Sequence, residues 1–474
     1  MATKERLLFK DEILDELAQK GNVAQFVSFG PGKELPQRHS RVLACAPNHK
    51  FESAKQAIQV LLERSPERMV NIRTYRPESP EGNPFIRKLE SMDDAYGALI
   101  KHSELGLYTI VNETINESDG GVSGVCHAGQ LEFAPDTTPR CVDDPKIRTA
   151  KLPFEFGSKV LQLVYGFTPD VPGAADIRTE FSIHPRRRGW RDDHTIIWQQ
   201  ERAVVKPMRR FGSWPNAFSR MVGDKVYGLL VAASVDLPVP RTNVYTRRLF
   251  PFTFGLPTGS ARIYTRTAPE EKAPGYYPSS RGWVDPFKVL ADHRVLSDRG
   301  YQPLVAPSKV PDDIRPLASV LSQEEVEAKF SGRLVYGATD APLIDGVRGG
   351  GEHFMLGAGR SGLPSEISAK VENFAALARE KLGMVEFEWV YDGQSVWVVQ
   401  LHRSKRNSSI VLAREDLEWI DFVYEGPHMI EDFRALARSL KGKRKGINVV
   451  GNSSPLSHLG EIALHYSVPA RFED

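Results

Sequence analysis

One run of short motifs occurs twice in this sequence, in the same order, and that repetition limits the fold more than any other feature. The first run comprises MVNIRTYRPESPEG (69–82), a β-rich TIVNETI leading to GVSGV (121–125), and TEFSIHPRRRG followed by HTIIWQQER (194–202). The second comprises ARIYTRTAPEE (261–271), ASVLSQEEVEAKFSGRL (318–334), and VEFEWVYDG followed by QSVWVVQLHR (394–403). Self-similarity in a constant order points to two diverged copies of one architectural unit. Between the motifs, short β-rich strings alternate with amphipathic stretches, which predicts α/β or α+β layers. Ser53 to Arg64 reads as a helix with Ala54, Ala57, Ile58, Leu61 and Leu62 on one face. Ile367, Val371, Phe374 and Ala378 mark a second helix that begins near Pro364 and stops at Gly383. Val385 to Tyr391 and Ser395 to Leu401 flank Asp392-Gly393, the turn signal of a hairpin. The Pro/Gly-rich stretch from Phe250 to Ser280 is expected to be a long loop or lid.

A chain of 474 residues exceeds one hydrophobic core, so two or three domains are expected. Lys+Arg 62 against Asp+Glu 60 leaves a formal charge of +2, which argues against a global attraction to nucleic acid or a membrane surface. Cys45, Cys126 and Cys141 are too few for a disulfide framework and lack metal-type spacing, so a reducing compartment, the cytoplasm, is expected. MATKERLLFKDEILDEL breaks its apolar residues with charges, and no later apolar run approaches a membrane span; a soluble, unexported protein is expected.

The second copy follows FSRMVGDKVYGLLVAASVDLPVPRTNV (218–244), where Gly223 and Lys225 open a helix and Leu-Pro-Val-Pro turns the chain back into a strand. A lysine beside a Gly turn can place its ammonium on phosphate oxygens. This segment resembles the VGGK...GLPVPPGF signature that opens the ATP-grasp nucleotide-binding unit of phosphoenolpyruvate synthase, pyruvate phosphate dikinase and rifampin phosphotransferase. The resemblance assigns Lys225 to the signature lysine and Arg266 of IYTRTAPE to the arginine that reaches phosphate. It assigns Gln323-Glu324 to a hinge, Ser331-Gly332 to a small-residue strand in which Arg333 replaces an apolar residue, and Glu352 of GVRGGGEHF to an acidic position. Its most specific element is a strand ending in Glu-Trp with a second ending in Gln-x-Arg, which present a carboxylate and an amide oxygen to Mg²⁺. Glu388-Trp389 and Gln400 match them, with His402 where the arginine is expected and Arg403 as its substitute. Antiparallel pairing across the tight turn would bring Glu388 and Gln400 onto one face, and oxygen donors suit Mg²⁺.

In the first copy, Arg73, Ser123-Gly124 and Gln199 answer to these positions, but Ser182 stands where the second copy has Glu388, and Lys33 of FGPGKEL is a poor signature lysine. The first copy is therefore expected to be a non-catalytic scaffold or to bind the acceptor, with His184 to Arg191 forming a solvated arginine-rich turn. Beyond Arg403, a strand at Asp421 to Tyr424, a helix around Met429 to Leu440, the basic KGKRK loop and INVV make a β-α-β start. GNSSPLSHLGEIALHYSVPARF then resembles the phosphohistidine stretch of the same enzymes' swivel domain, with Ser457 before His458 as the phosphorylated residue and His465 as packing only.

The resemblance thus implies two tandem ATP-grasp-like units, 1–202 and 203–405, and a truncated swivel-like β/α domain, 406–474. It implies a phosphotransferase using Mg·ATP, with catalytic Lys225, Arg266 and His458, phosphate held also by Arg403, and Glu388 and Gln400 on the metal. The phosphoryl acceptor is unidentified, and a protein partner is a candidate to supply the acceptor-binding domain. Two other classes share these residues: a ligase acting through an acyl phosphate, and a non-catalytic ATP-binding subunit of a larger system.

Overall fold

The computed structural model describes residues 9–79, 83–173, 176–202, 212, 214–271, 279–291, 317–336, 341–350, 363–403, 417–451 and 453–473. The chain divides into two compact units, residues 1–158 with 167–209, and residues 159–166 with 210–474. Both mix helices with mainly antiparallel sheets.

The first unit begins with α1 (Lys10–Lys20), β1 (Phe26–Phe29), β2 (Gln37–Arg41), α2 (Ala54–Arg64), β3 (Val70–Tyr75), β4 (Phe85–Leu89), α3 (Met92–Glu104) and β5 (Tyr108–Glu113). Ser53 and Ser91 start α2 and α3 by accepting from the backbone N–H of Gln56 and Asp94, which satisfies donors the helix itself cannot. Ala57, Ile58, Leu61 and Leu62 then face Val27, Ile72, Leu99 and Val111 in one core, as the helical spacing requires. The five strands lie in the order β2-β1-β5-β3-β4. A second sheet, ordered β10-β9-β6-β7-β8, contains β6 (Val122–His127), β7 (Gln130–Pro135), β8 (Ala150–Pro153), β9 (Ile177–Arg188) and β10 (Asp193–Arg202), with α4 (Phe154–Tyr165) between β8 and β9.

The second unit repeats the plan. After α5 (Ala217–Val222) and α6 (Asp224–Ser234) come β11 (Thr242–Thr246), β12 (Phe252–Phe254), β13 (Ile263–Pro269), β14 (Ser279–Arg281), α7 (Pro286–Ala291) and β15 (Leu317–Glu324). Their sheet order is β12-β11-β15-β13-β14, the order of the first unit strand for strand. The stretch expected as a loop or lid thus contains β12 and β13; alternating β-branched Ile263, Thr265 and Thr267 outweigh the flanking Gly and Pro. The next sheet, β17-β16-β18-β19, contains β16 (Phe330–Tyr336), β17 (Pro342–Arg348), β18 (Val385–Tyr391) and β19 (Val396–Arg403), with α8 (Ser365–Leu382) ahead of β18. Ile367, Val371 and Ala378 are buried on α8 as its spacing predicts, and Phe374 packs edge-on against Phe387.

The correspondence extends to single bonds. Val398 N–H donates to Pro238 O at 2.8 Å, and Ile197 N–H donates to Asn22 O at 2.8 Å. In each unit, a strand glycine leaves no room for a side chain: a Cβ on Gly124 would lie 1.9 Å from Glu132 O, and one on Gly332 would lie 2.0 Å from Asp345 O. Each also has a bulge at one place. β18 and β19 pair Trp389 with Val398 but Glu388 with Gln400, leaving Val399 without a partner in the register. β9 and β10 pair Phe181 with Ile197 but Glu180 with Gln199, leaving Trp198 over.

The second unit ends in a parallel β20-β21-β22 sheet of Glu418–Val423, Lys445–Val450 and Ala470–Glu473, with α9 (Ile430–Leu440) and α10 (His458–Tyr466) packed around Ile430, Phe433, Ile447, Val449, Leu459 and Ile462. Among the described residues no helix is long and apolar enough to cross a membrane.

The placement of α6 against β19 depends on Gly228, where a Cβ would stand 1.9 Å from Leu401 O. Gly228→Ala must push the helix away. It is expected to lower stability by roughly 1–3 kcal/mol, despite alanine's better helix propensity, as read from the denaturant midpoint.

Candidate functional site

In the second unit, residues far apart in sequence join in one chain of hydrogen bonds and close ion-pair contacts that runs from one sheet to the other. Arg266 on β13 donates through Nη1 to Gln323 Oε1 on β15 (3.0 Å) and to Val399 O on β19 (2.7 Å), and through Nη2 to Gln400 Oε1 (3.0 Å). Its Nη2 also lies 3.7 Å from Glu388 Oε2. Gln323 Nε2 donates to Thr242 Oγ1, and Gln400 Nε2 lies 2.6 Å from His402 Nε2. His402 Nδ1 lies 3.0 Å from Asp224 Oδ2 at the start of α6, and Trp214 Nε1 donates to Asp224 Oδ1 at 2.6 Å. Four of the residues selected from sequence, Arg266, Gln323, Glu388 and Gln400, are therefore brought together. Asp224, Trp214 and Thr242 carry no motif and were missed. The one signal for Asp224 was its place beside Lys225, and His402 was noticed only as a departure from pattern.

Glu388 and Gln400 belong to a polar row. The register sets Asp345 opposite Arg333, Arg333 opposite Glu388, and Glu388 opposite Gln400 across the four strands. Side chains directly opposite one another share a face of the sheet. Arg333 is buried: burial alone would lower its pKa, but Glu461, Glu386 and Glu388 outweigh that and hold it above the ordinary range. Its Nη1 meets Glu461 Oε1 on α10 at 2.6 Å and donates to Leu456 O at 3.2 Å, and Nη2 meets Glu386 Oε2 at 3.4 Å. Ser454 Oγ donates to Asp345 Oδ2 at 2.5 Å, and Leu456 packs on Val335 and Val347. One end of the row thus anchors the C-terminal segment, and the other end meets Arg266.

Of the remaining sequence candidates, Glu324, Arg403 and His458 stand elsewhere. Glu324 points away from Gln323 and accepts from the Thr258 N–H at 2.8 Å, with Arg241 3.4 Å away. Arg403 is exposed at the end of β19 and donates to Gly212 O. Lys225 is the second residue of α6, half-buried, next to Asp224. Glu352 lies outside the described residues. His458 opens α10 with Nδ1 3.0 Å from Glu461 Oε2, so its ring belongs to the ion-pair chain of Arg333. Among the described residues no group of three or more His, Cys, Asp or Glu could hold a metal.

The first unit corrects the sequence reading at two points. Its register makes Glu180, and not Ser182, the counterpart of Glu388: Glu180 lies opposite Val125 and Gln199, as Glu388 lies opposite Arg333 and Gln400. What differs is the surroundings. Glu180 Oε1 accepts from Arg178 on its own strand at 2.6 Å, and Gln199 is exposed. Arg73 is exposed and lies over the Phe85 ring. Nor is His184 to Arg191 a solvated turn throughout. Arg188 is fully buried between Asp119 (2.9 Å) and Glu67 (3.2 Å), and His184 joins Asp119 at 3.0 Å and Ser182 Oγ at 2.9 Å.

Burial pushes the His184 imidazole below its ordinary 6.5, although Asp119 pulls the other way. The unfolded chain therefore takes up this proton first, and the native state loses stability as pH falls below 6.5. The protection factors of β9 amides, in which the intrinsic slowing of exchange at lower pH is divided out, are expected to fall between about pH 7 and about pH 5, and His184→Gln to flatten that trend. Arg333→Met leaves carboxylates buried without their counter-charge and is expected to cost about 3–5 kcal/mol in a denaturant titration.

No family model and no curated protein matches the sequence. Among solved structures, the chain is similar to a RimK domain ATP-grasp protein from Sphaerobacter thermophilus, at 16% identity over 39% of this chain and 58% of that one, with a TM-score of 0.21. It is similar to D-alanine–D-alanine ligase from Bacillus anthracis complexed with ATP, at 10% identity over 38% and 53%, TM-score 0.22. It is also similar to macrocyclase MdnC bound with precursor peptide MdnA from Microcystis aeruginosa, at 11% identity over 39% and 54%, TM-score 0.19. The chain thus spans little more than half the length of each. These neighbours are ATP-grasp proteins of other kinds, so the assignment to the phosphoenolpyruvate synthase and pyruvate phosphate dikinase family is corrected. The phosphohistidine role of His458 and its swivel domain came with that assignment and lose their support.

Proposed function

We propose that the second unit binds Mg·ATP between its two sheets in the ATP-grasp manner, and that the chain is a ligase that activates a carboxylate as an acyl phosphate. The observation that supports this reading is the meeting of Arg266 from one sheet with Glu388 and Gln400 from the other. Glu388 and Gln400 supply one negative and one neutral oxygen donor, a set that suits Mg²⁺ arriving with nucleotide phosphates but is too small to cage an ion alone. When bound, Mg²⁺ would neutralise phosphate charge during transfer. Lys225 and Arg266 would hold phosphate oxygens, and Gln323 and Val399 O would aim the guanidinium.

Ligation is preferred to a phosphohistidine relay because of how the C-terminal segment is held. A carrier histidine must travel between sites, whereas α10 is fastened to β16 by the Glu461–Arg333 pair, Leu456 and Ser454. The acceptor carboxylate and its nucleophile are unidentified.

Calorimetry should show Mg-dependent ATP binding that Glu388→Ala, Gln400→Ala and Lys225→Ala each weaken by roughly 10–100-fold, with Glu324→Ala unaffected. Turnover should release ADP and form a hydroxamate with hydroxylamine. Release of AMP, or acid-labile phosphate on His458, would refute the ligase reading.

A further inference from the structure

The hydrogen bonds around Gln400 each have a direction, and the chain closes on Asp224 through a charge contact, the Asp224 carboxylate 3.0 Å from His402 Nδ1. Arg266 can only donate, so the Gln400 atom facing Nη2 at 3.0 Å is the amide oxygen. The Gln400 NH₂ group is then turned to His402 Nε2, 2.6 Å away, which must accept. An imidazole that accepts at Nε2 carries its proton on Nδ1, and Asp224 Oδ2 lies 3.0 Å from that atom. At the far end, Trp214 Nε1 can only donate, and it occupies Asp224 Oδ1 at 2.6 Å. Asp224, Gln400 and the His402 side chain are all buried or nearly so, which keeps water from replacing a link.

We propose that Asp224 and His402 are positioning residues that hold the Gln400 amide with its oxygen toward Arg266 and Glu388, where it can serve as the neutral metal donor. The inference rests on the Mg·ATP reading above. The Gly228 contact that brings α6 onto β19 sets the distance between Asp224 and His402.

Asp224→Asn tests this at constant shape. Trp214 still demands an oxygen, so the new side-chain amide presents its NH₂ to His402 Nδ1; the imidazole must shift its proton to Nε2, and the Gln400 amide then meets a donor on both sides and loses its fixed orientation. In ¹⁵N-histidine spectra of the full chain, His402, assigned by its loss in His402→Leu, is expected to carry its proton on Nδ1 in the wild type and on Nε2 in Asp224→Asn. Mg-dependent ATP affinity is expected to fall about tenfold in Asp224→Asn and in His402→Leu. Gln400→Glu has two equivalent oxygens and no orientation to lose. In that background the same changes should stay within about twofold. Equal losses in both backgrounds, or a wild-type proton on Nε2, overturn the inference. Absence of any Mg·ATP binding by the wild type overturns the functional reading instead, and the spectra still decide the tautomer.

Discussion

The guanidinium of Arg266 is the interaction on which the second unit's site depends. It is rooted in one sheet, yet two of its three closest acceptors, Val399 O and Gln400 Oε1, belong to the other. A planar group with several fixed donors can hold two strands of different sheets in register with one another, which a lysine cannot. Gln323 stiffens it from behind, and Glu388 offsets its charge at longer range. Everything proposed for nucleotide binding hangs from this contact.

The two copies show how one backbone plan can hold different chemistry. Strand order, the bulge and the crowded glycine are common to both. Glu180 and Gln199 even keep the carboxylate-opposite-amide pair. But Glu180 is bonded within its own strand by Arg178, whereas Glu388 looks across to Arg266. Beside them, Ser182, His184, Asp119, Arg188 and Glu67 form a buried polar cluster with nearly every link internal. Such a cluster specifies a packed core and leaves few groups over for a ligand.

The sequence made the repeat, the hairpin, both helices and the Glu388, Gln400, Arg266 and Gln323 group readable, because each rests on periodicity or on residues of unusual type at a set spacing. It did not reveal Asp224 or Arg333 as participants. A single acid or arginine on an apolar strand or helix end has no local signature, and its meaning comes from partners more than a hundred positions away. The Ser182 error has a sharper cause. Aligning the copies by their letters sets TEFS on VEFE, but the ladder sets Glu180-Phe181 on Glu388-Trp389, two places further along. The family assignment failed because it rested on short motifs of common residue types, whose order alone does not establish a family.

The unpaired residue at Val399 has a geometric effect that the spacing of the motif hides. Strands joined by a tight turn set Tyr391 against Val396 and Trp389 against Val398, and on that count Glu388 would meet Val399. One extra residue moves the amide into its place and frees a carbonyl for Arg266. The donor pair is therefore a matter of parity as much as of residue type. In a relative with the same letters and spacing but an unbroken ladder in this hairpin, the amide would stand opposite Phe387 on the other surface of the sheet, and a search by composition alone would count the two proteins as equal.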